Sequence, residues 1–524
     1  MKKAYDAIVV GGGIGGLTSA AYMTKYGLST LLVEKEEKLG GLVNTFWKNG
    51  YAFDGGIRAF ENSGILFPML KNLGIEIEFI KSPVSMGFVN NWIKLKSRDS
   101  LEDYKDQLKE NFPNNKIDID IIGHEIKKVM GYLDVIYGID NPLFLDNMRE
   151  AEYFLKTLLP WLLKYQINIR KSNKLDKPIN DYLRKFTSNQ ALIDMITQHF
   201  FKNTPTNFAL GYFGLYLDYS YPKGGTGVLV EEMGRYIRSN GGKILTDSKV
   251  EKIDNIKKEI ETNDSQIFSY KKLVWAADNK ALYRSIKGET KEGFKSQKKI
   301  VESSRGSDSI FSLYMGVNMP KEKVSSTVGV HGFFTPSTKG LSSLGDWKEH
   351  IKNNQLEEWI DAYLQRTTYE ISIPVMRDSS LAPEGKIGII ISSLMDYGLV
   401  KYMAGRGDYE RFKEFATDKI CKIMDETLLP GLLDNIEFTI AATPLTIEKI
   451  TGNSHGAITG WEFTDKMPST NKFSKINESI KTPMNDIYQC GQWSFSPAGL
   501  PVSILTGKLA ADQVEKSLKG KFYG

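Results

Sequence analysis

The sequence predicts an α/β fold with a parallel, Rossmann-like unit at its N-terminus. Three observations carry this. An apolar run at 7–10 (AIVV), a glycine-rich turn, a helical run at 17–26 and a second apolar run at 29–33 follow one another directly. That is the βαβ order. The glycines of the turn fit G-x-G-x-x-G, at Gly11, Gly13 and Gly16. The second apolar run ends on an acid, Glu34.

Each element has a local reason. Residues 7–10 follow Asp6 and are apolar throughout, as in a parallel strand covered on both faces. Gly11 allows the tight turn, Gly13 lets the backbone approach a pyrophosphate, and Gly16 lets the helix pack on the sheet. Ile14 and Gly15 lie in the turn before the helical run at 17–26, whose N-terminus offers free N–H groups and a positive dipole end. Gly27 closes it. Glu34 can accept from ribose hydroxyls and would repel a 2′-phosphate, so NADP is disfavoured. The pattern is not met in full a second time, so one dinucleotide is expected.

The bulk properties exclude several alternatives. At about 100–200 residues per domain, 524 residues make two to four structural units. The chain is 41% hydrophobic and 25% charged, so it can bury a sizeable core. The net charge of +5 is nearly balanced and argues against a nucleic-acid partner. Two cysteines, Cys421 and Cys490, form no disulfide framework and fit a reducing cytoplasm. Asp6 and the glycines from Gly11 interrupt any signal-peptide core, and no apolar run reaches membrane-spanning length. The five histidines do not pair at ligand spacing, so no metal is expected.

After Glu34 and Lys35, the chain carries Gly40 and Gly41, then Phe53, Asp54, Gly55 and Gly56. A second glycine pair beyond the ribose acid lets more backbone approach an extended cofactor. This acid, spacer, G-G and F-D-x-G order resembles the FAD-containing amine oxidase and phytoene desaturase superfamily. Leu42, Val43 and Asn44 stand where that superfamily usually has an arginine.

Later segments narrow the resemblance. Tyr221-Pro222-Lys223-Gly224-Gly225, a helical run at 228–239, Gly241-Gly242 and strands at 243–245 and 249–253 are similar to the superfamily's return to its FAD domain. The run 372–385 (SIPVMRDSSLAPEG), the segment 443–446 (TPLT) and the stretch 496–511 resemble the branch of phytoene desaturases, carotenoid isomerases and retinol saturases. Ser496 stands where that branch often has histidine.

The resemblance implies a discontinuous, glutathione-reductase-like FAD-binding domain from 1–80, 220–290 and 480–524, with an inserted α+β substrate domain from 81–219 and 291–479. It places Val250 against the adenine. It likewise places Gly491 and the helix start at Leu500, Pro501 and Val502 against the isoalloxazine. It implies an oxidoreductase that desaturates or saturates carbon–carbon bonds of a long apolar polyene or isoprenoid, such as a carotenoid. The alternatives are a non-redox cis–trans isomerase using reduced FAD and a flavin amine oxidase. The residues name no electron donor or acceptor.

Two further readings come from the middle and the turn region. Residues 152–165 (EYFLKTLLPWLLKY), with Arg170, Lys171 and Lys174 beyond, read either as an interfacial segment at a membrane surface or as a core helix kinked at Pro160. The aromatic run 207–221 reads as core or as the wall of an apolar tunnel. Arg58 and Glu61, just past Gly56, are the polar candidates for catalysis, weighed against a plain Arg–Glu ion pair.

Overall fold

The computed structural model describes residues 3–146, 151–288, 291–325, 327–464 and 466–520. The N-terminal unit is β1 (Lys3–Val10), α1 (Ile14–Lys25) and β2 (Thr30–Val33). β1 runs parallel to β2 on one side and to the strand Ile267–Trp275 on the other. β2 continues parallel to Lys243–Leu245, and Ile267–Trp275 to Ile487–Gln489. An antiparallel meander through Val250–Asp254 and Glu259–Thr262, with Ile286–Lys287 parallel to the former, completes this sheet of eight strands. Strands far apart in sequence are thus laid side by side.

The reason lies in the apolar runs. Ala7, Ile8 and Val9 are fully buried, and their alternate side chains face different cores. α1 is buried along its whole length from Ile14 to Thr24. It packs against Gly227–Ser239 and Leu500–Lys519. Small residues let it do so: a β-carbon at Gly507 would fall 2.4 Å from the Gly15 carbonyl oxygen.

A second sheet of seven strands lies apart. Its order is Ile436–Ala442, Ser309–Val317, Ile387–Met395, Tyr369–Ser372, His331–Thr335, Val84–Phe88 and Asn91–Leu95. All neighbours are antiparallel except His331–Thr335 with Val84–Phe88. The hairpin of Thr45–Lys48 and Tyr51–Asp54 buries Tyr51 and Phe53 in the core of this sheet. Helices Ser100–Asn111, Lys116–Ile136 and Thr206–Tyr216 form a third core around Ile119, Ile126 and Phe213.

The segment 152–165 lies within one helical run, in which a π-helical stretch, Phe154–Leu158, joins the turn Ala151–Tyr153 to the helix Leu159–Asn173. Pro160 follows the π stretch directly, with helical backbone at Tyr153, Leu158 and Leu159 before it, so its missing N–H falls inside the run. Prolines and π stretches are both causes of bending. Among the described residues no helix is long and apolar enough to cross a membrane. Nor does any group of His, Cys, Asp and Glu there suit a metal.

Candidate active site

The turn after β1 opens into a cavity of about 1650 Å³. Ordinary small-molecule sites span about 300–1,000 Å³, so this one holds an extended ligand with space beyond it. Gly11, Gly13, Ile14 and Gly15 form its floor. Gly11 has φ +107°, which the sharp turn out of the strand requires. A β-carbon on Gly13 would meet no protein atom within 4 Å, so the space before it is left for something else. Gly13 caps α1 without a side-chain bond, leaving first-turn N–H groups free of a side-chain cap.

Glu34 ends β2 beside this turn. Its Oε2 accepts the Gly12 N–H at 2.6 Å and its Oε1 the Glu36 N–H at 3.0 Å. The carboxylate is thereby held at the cavity edge. Lys35 also lines the cavity, but its Nζ donates to the carbonyls of Lys449 and Ile450. Val250 closes the same end from the start of its strand.

Gly41, Gly55 and Gly56 line the next part, with Asn44 between them. At the opposite wall, the cavity meets Gly491, Gly499, Leu500 and Ser503. Gly499 caps the helix Leu500–Lys519, again with no side-chain bond, so a second helix N-terminus faces the space. The cavity continues to the second sheet, where Ile310, His331 and Glu370 border it.

Comparison with known proteins decides what this arrangement is. Residues 9–73 match the model of the NAD(P)-binding Rossmann-like domain. The chain is 25% identical to the prolycopene isomerase of Arabidopsis thaliana, over 98% of this chain and 83% of that one. It is 26% identical to the lycopene-forming phytoene desaturase of Paracoccus sp., over 97% of both. It is 22% identical to the all-trans-retinol 13,14-reductase of Danio rerio, over 93% of this chain and 82% of that one. In sequence the chain is thus similar to phytoene desaturases, carotenoid isomerases and retinol reductases. In fold, it matches the cyclohexylamine oxidase of Brevibacterium oxydans with a TM-score of 0.60 at 12% identity, over 98% and 100% of the two chains.

The chain is an FAD-dependent oxidoreductase-type enzyme, with a Rossmann-like unit and an α/β layout. The residues present fit FAD: two uncapped helix N-termini, an open glycine floor and a fixed acid share one elongated cavity.

Not every expected residue borders that cavity. Gly16 lies behind the floor, packed on Gly11, and Gly40 is locked in a turn against Val43. Asp54 is fully buried away from the cavity lining. It accepts from Thr45, Tyr221, and both the amide and hydroxyl of Thr226. Pro501 and Val502 sit one step inside the helix and off the lining. Cys490 is buried, and burial pushes its thiol pKa up, so it is inert.

Arg58 and Glu61 both line the cavity, but they form no pair among the described contacts. The Arg58 guanidinium donates to the carbonyls of Asp54 and Gly56, and at 2.9 Å to Ser392 Oγ. It ties the glycine turn to the second sheet. Glu61 is left without a cation and lies against Gly499. Burial pushes its carboxyl up to about 7.

Tyr212 and Tyr219, from the aromatic run 207–221, line the cavity as the tunnel-wall reading expects. Other lining residues escaped sequence reasoning: His331 and Glu370 come from two strands of the second sheet. Arg235 and Arg238 border the cavity from the helix Gly227–Ser239. The i, i+3 spacing of those arginines on an amphipathic helix was the one available signal.

Proposed function

We propose that the chain desaturates or saturates carbon–carbon bonds of a long apolar polyene or isoprenoid lipid, of the carotenoid kind. The observation that carries this reading is the continuity of the cavity. One space begins at the glycine floor under α1 and ends between strands of the second sheet. A cofactor bound at the first end would present its reactive ring to a substrate at the other.

In this reading Gly11, Gly13 and Gly15 take the pyrophosphate at the N-terminus of α1. Glu34 takes the ribose and Val250 the adenine. Gly41, Gly55, Gly56, Gly491 and Leu500 contact the cofactor's extended middle and ring. Gly16, Gly40, Asp54, Pro501 and Val502 act from behind by shaping those segments. The segments 1–80, 220–290 and 480–524 make up the FAD-binding part.

When bound, FAD exchanges a hydride with the substrate. The chain's own groups provide the setting. The N-terminus of Leu500–Lys519 stabilises negative charge at the ring edge. Glu61, with a carboxyl near neutrality, can hold or release a proton beside Gly499. Arg58 positions the turn 54–56, since its two terminal nitrogens bond the carbonyls of that turn and Ser392. Lining side chains such as Phe46, Ile57 and Ile310 exclude water from the path.

A lipid substrate must be collected from a bilayer. Leu155, Leu159, Leu163 and Ile167 recur at intervals of four and are 39–65% exposed. Such a stripe on one helix face, with Lys156, Lys164 and Lys171 nearby, suits the surface of an anionic membrane.

The second reading is isomerisation of a double bond with reduced FAD, favoured by the match to prolycopene isomerase across 98% of the chain. Product mass separates the two. A desaturated or saturated product differs from substrate by whole hydrogen pairs, whereas an isomer has unchanged mass. An amine substrate that releases peroxide would overturn both.

A further inference from the structure

A cluster of cations and donors sits behind the cavity wall. Asp278 and Asn453 line the cavity, but Lys280 and His455, two residues further along their loops, do not. The two loops are tied together, since Asp278 Oδ2 accepts the Ser454 N–H at 2.8 Å. Lys280 is 7% exposed, yet its ammonium makes no hydrogen bond or ion pair among the described residues. A buried charge in that position is costly. The acids that act on it are committed elsewhere. Asp278 accepts the amides of Ala281 and Ser454, and Glu302 is held by two bonds from Arg284.

His455 brings a second donor. Its Nδ1 accepts the Gly306 N–H at 3.0 Å, so the neutral ring carries its proton on Nε2. Burial and the charges of Lys280, Arg305 and Lys401 push the ring down to about 4, against the pull of Glu448. The Nε2–H has no partner among the described residues. Glu448 is itself occupied, accepting the Tyr397 hydroxyl at 2.8 Å and the His455 N–H at 3.2 Å. Arg305 is exposed beside Gly306. Lys401 is exposed over the ring of Tyr397, which meets the His455 ring edge-on. Neither cation has an ion-pair partner among the described residues. What this cluster lacks is an anion.

We propose that Lys280, His455 and Arg305, with Lys401 at the rim, bind a phosphate group at a site separate from the FAD cavity. The donors come from three segments of chain, so they suit a group with acceptor oxygens on several sides. A phosphate group offers that, with a charge of about −1.5 to −2 at pH 7. A carboxylate offers two oxygens in one plane and a single charge. The bound group would brace the cavity wall from outside, through the bond between Asp278 and Ser454. The inference does not rest on the lipid reading.

The test is calorimetric titration of the FAD-loaded protein at low salt with inorganic phosphate, diphosphate and acetate. Phosphate or diphosphate should bind saturably, one per chain, and at least about tenfold tighter than acetate. Lys280→Met keeps the stem and removes the charge, and should weaken that binding at least about tenfold. Without phosphate this variant should melt no lower than the native protein, because an unpaired buried charge is gone. Added phosphate should raise the melting temperature of the native protein and not of the variant. His455→Asn tolerates the φ of +63° at that position and should also weaken phosphate. No saturable binding, equal affinity for acetate, or affinity unchanged in both variants overturns the inference. So does displacement of FAD by phosphate, which would place the anion on the glycine floor. Should Lys280→Met lose its flavin, His455→Asn still decides. Phosphatidylcholine vesicles containing phosphatidic acid, added first, distinguish the source. If they abolish the phosphate heat, the group is a lipid headgroup; if they leave it intact, the group is a soluble phosphate.

Discussion

A β-carbon on Gly16 would fall 1.9 Å from the carbonyl oxygen of Gly11, whereas one on Gly13 would meet no protein atom within 4 Å. Two glycines of one motif therefore serve different ends. The first holds the helix to the strand, and the second keeps space for a ligand.

Alanine at the two positions should separate fold from cofactor. Gly16→Ala overpacks a main-chain contact and should destabilise the protein by about 1–3 kcal/mol, with flavin lost as a consequence. Gly13→Ala should leave the flavin-free melting temperature unchanged and weaken FAD binding by on the order of tenfold, ~1.4 kcal/mol. Thermal melts and FAD titrations of the two variants check this. Equal melting and equal FAD affinity in both would contradict it.

Glu34 should affect the cofactor through one end only. Glu34→Ala removes the acceptor of the Gly12 and Glu36 amides as well as the proposed ribose partner. Flavin affinity should fall about tenfold or more, as for loss of a charged hydrogen bond. Because the reactive ring lies at the far end, turnover at saturating FAD should be nearly native. Flavin content against added FAD, measured with turnover, distinguishes this from a general loss of fold.

Glu61 makes stability depend on pH in a defined direction. Its folded carboxyl titrates near 7, above the ordinary value of 4.5, because burial disfavours the charge. Between those values the native state binds more protons than the unfolded chain, so stability falls as pH rises through that window. Glu61→Gln should remove this loss, by at most roughly 3 kcal/mol. Relative to native protein, the variant should melt higher at pH 8 than at pH 5. A pH-independent difference would show that Glu61 does not carry the shift. Turnover in Glu61→Gln with FAD retained tests the proton-transfer role: native turnover excludes it.

The exposed stripe on Leu159–Asn173 offers a separate test. Leu159→Asp with Leu163→Asp should abolish sedimentation with anionic vesicles while leaving the melting temperature nearly unchanged, as exposed positions allow. Undiminished sedimentation would remove this face from the account.

The sequence was most legible where structure depends on neighbours along the chain. β1, the turn, α1 and β2 lie where alternation of apolar runs and glycines puts them, because each is decided within a few residues. The helix Leu500–Lys519 begins where the glycine-rich run ends. Legibility failed where contacts span the chain. His331 and Glu370 meet only because two strands pair, and no local pattern marks either. Arg58 and Glu61 were visible as polar residues near the turn, but not their partners. Arg58 bonds Ser392 in the second sheet, and Glu61 faces Gly499.

The most direct test of the central claim is mass spectrometry of lipid extracts from cells with and without the protein, once bound FAD is confirmed by absorbance. The account predicts a polyene or isoprenoid lipid lighter or heavier by whole hydrogen pairs when the protein is present. A product of unchanged mass and altered retention would contradict it in favour of isomerisation. No lipid change, with peroxide released from an amine, would contradict the assignment to lipid altogether.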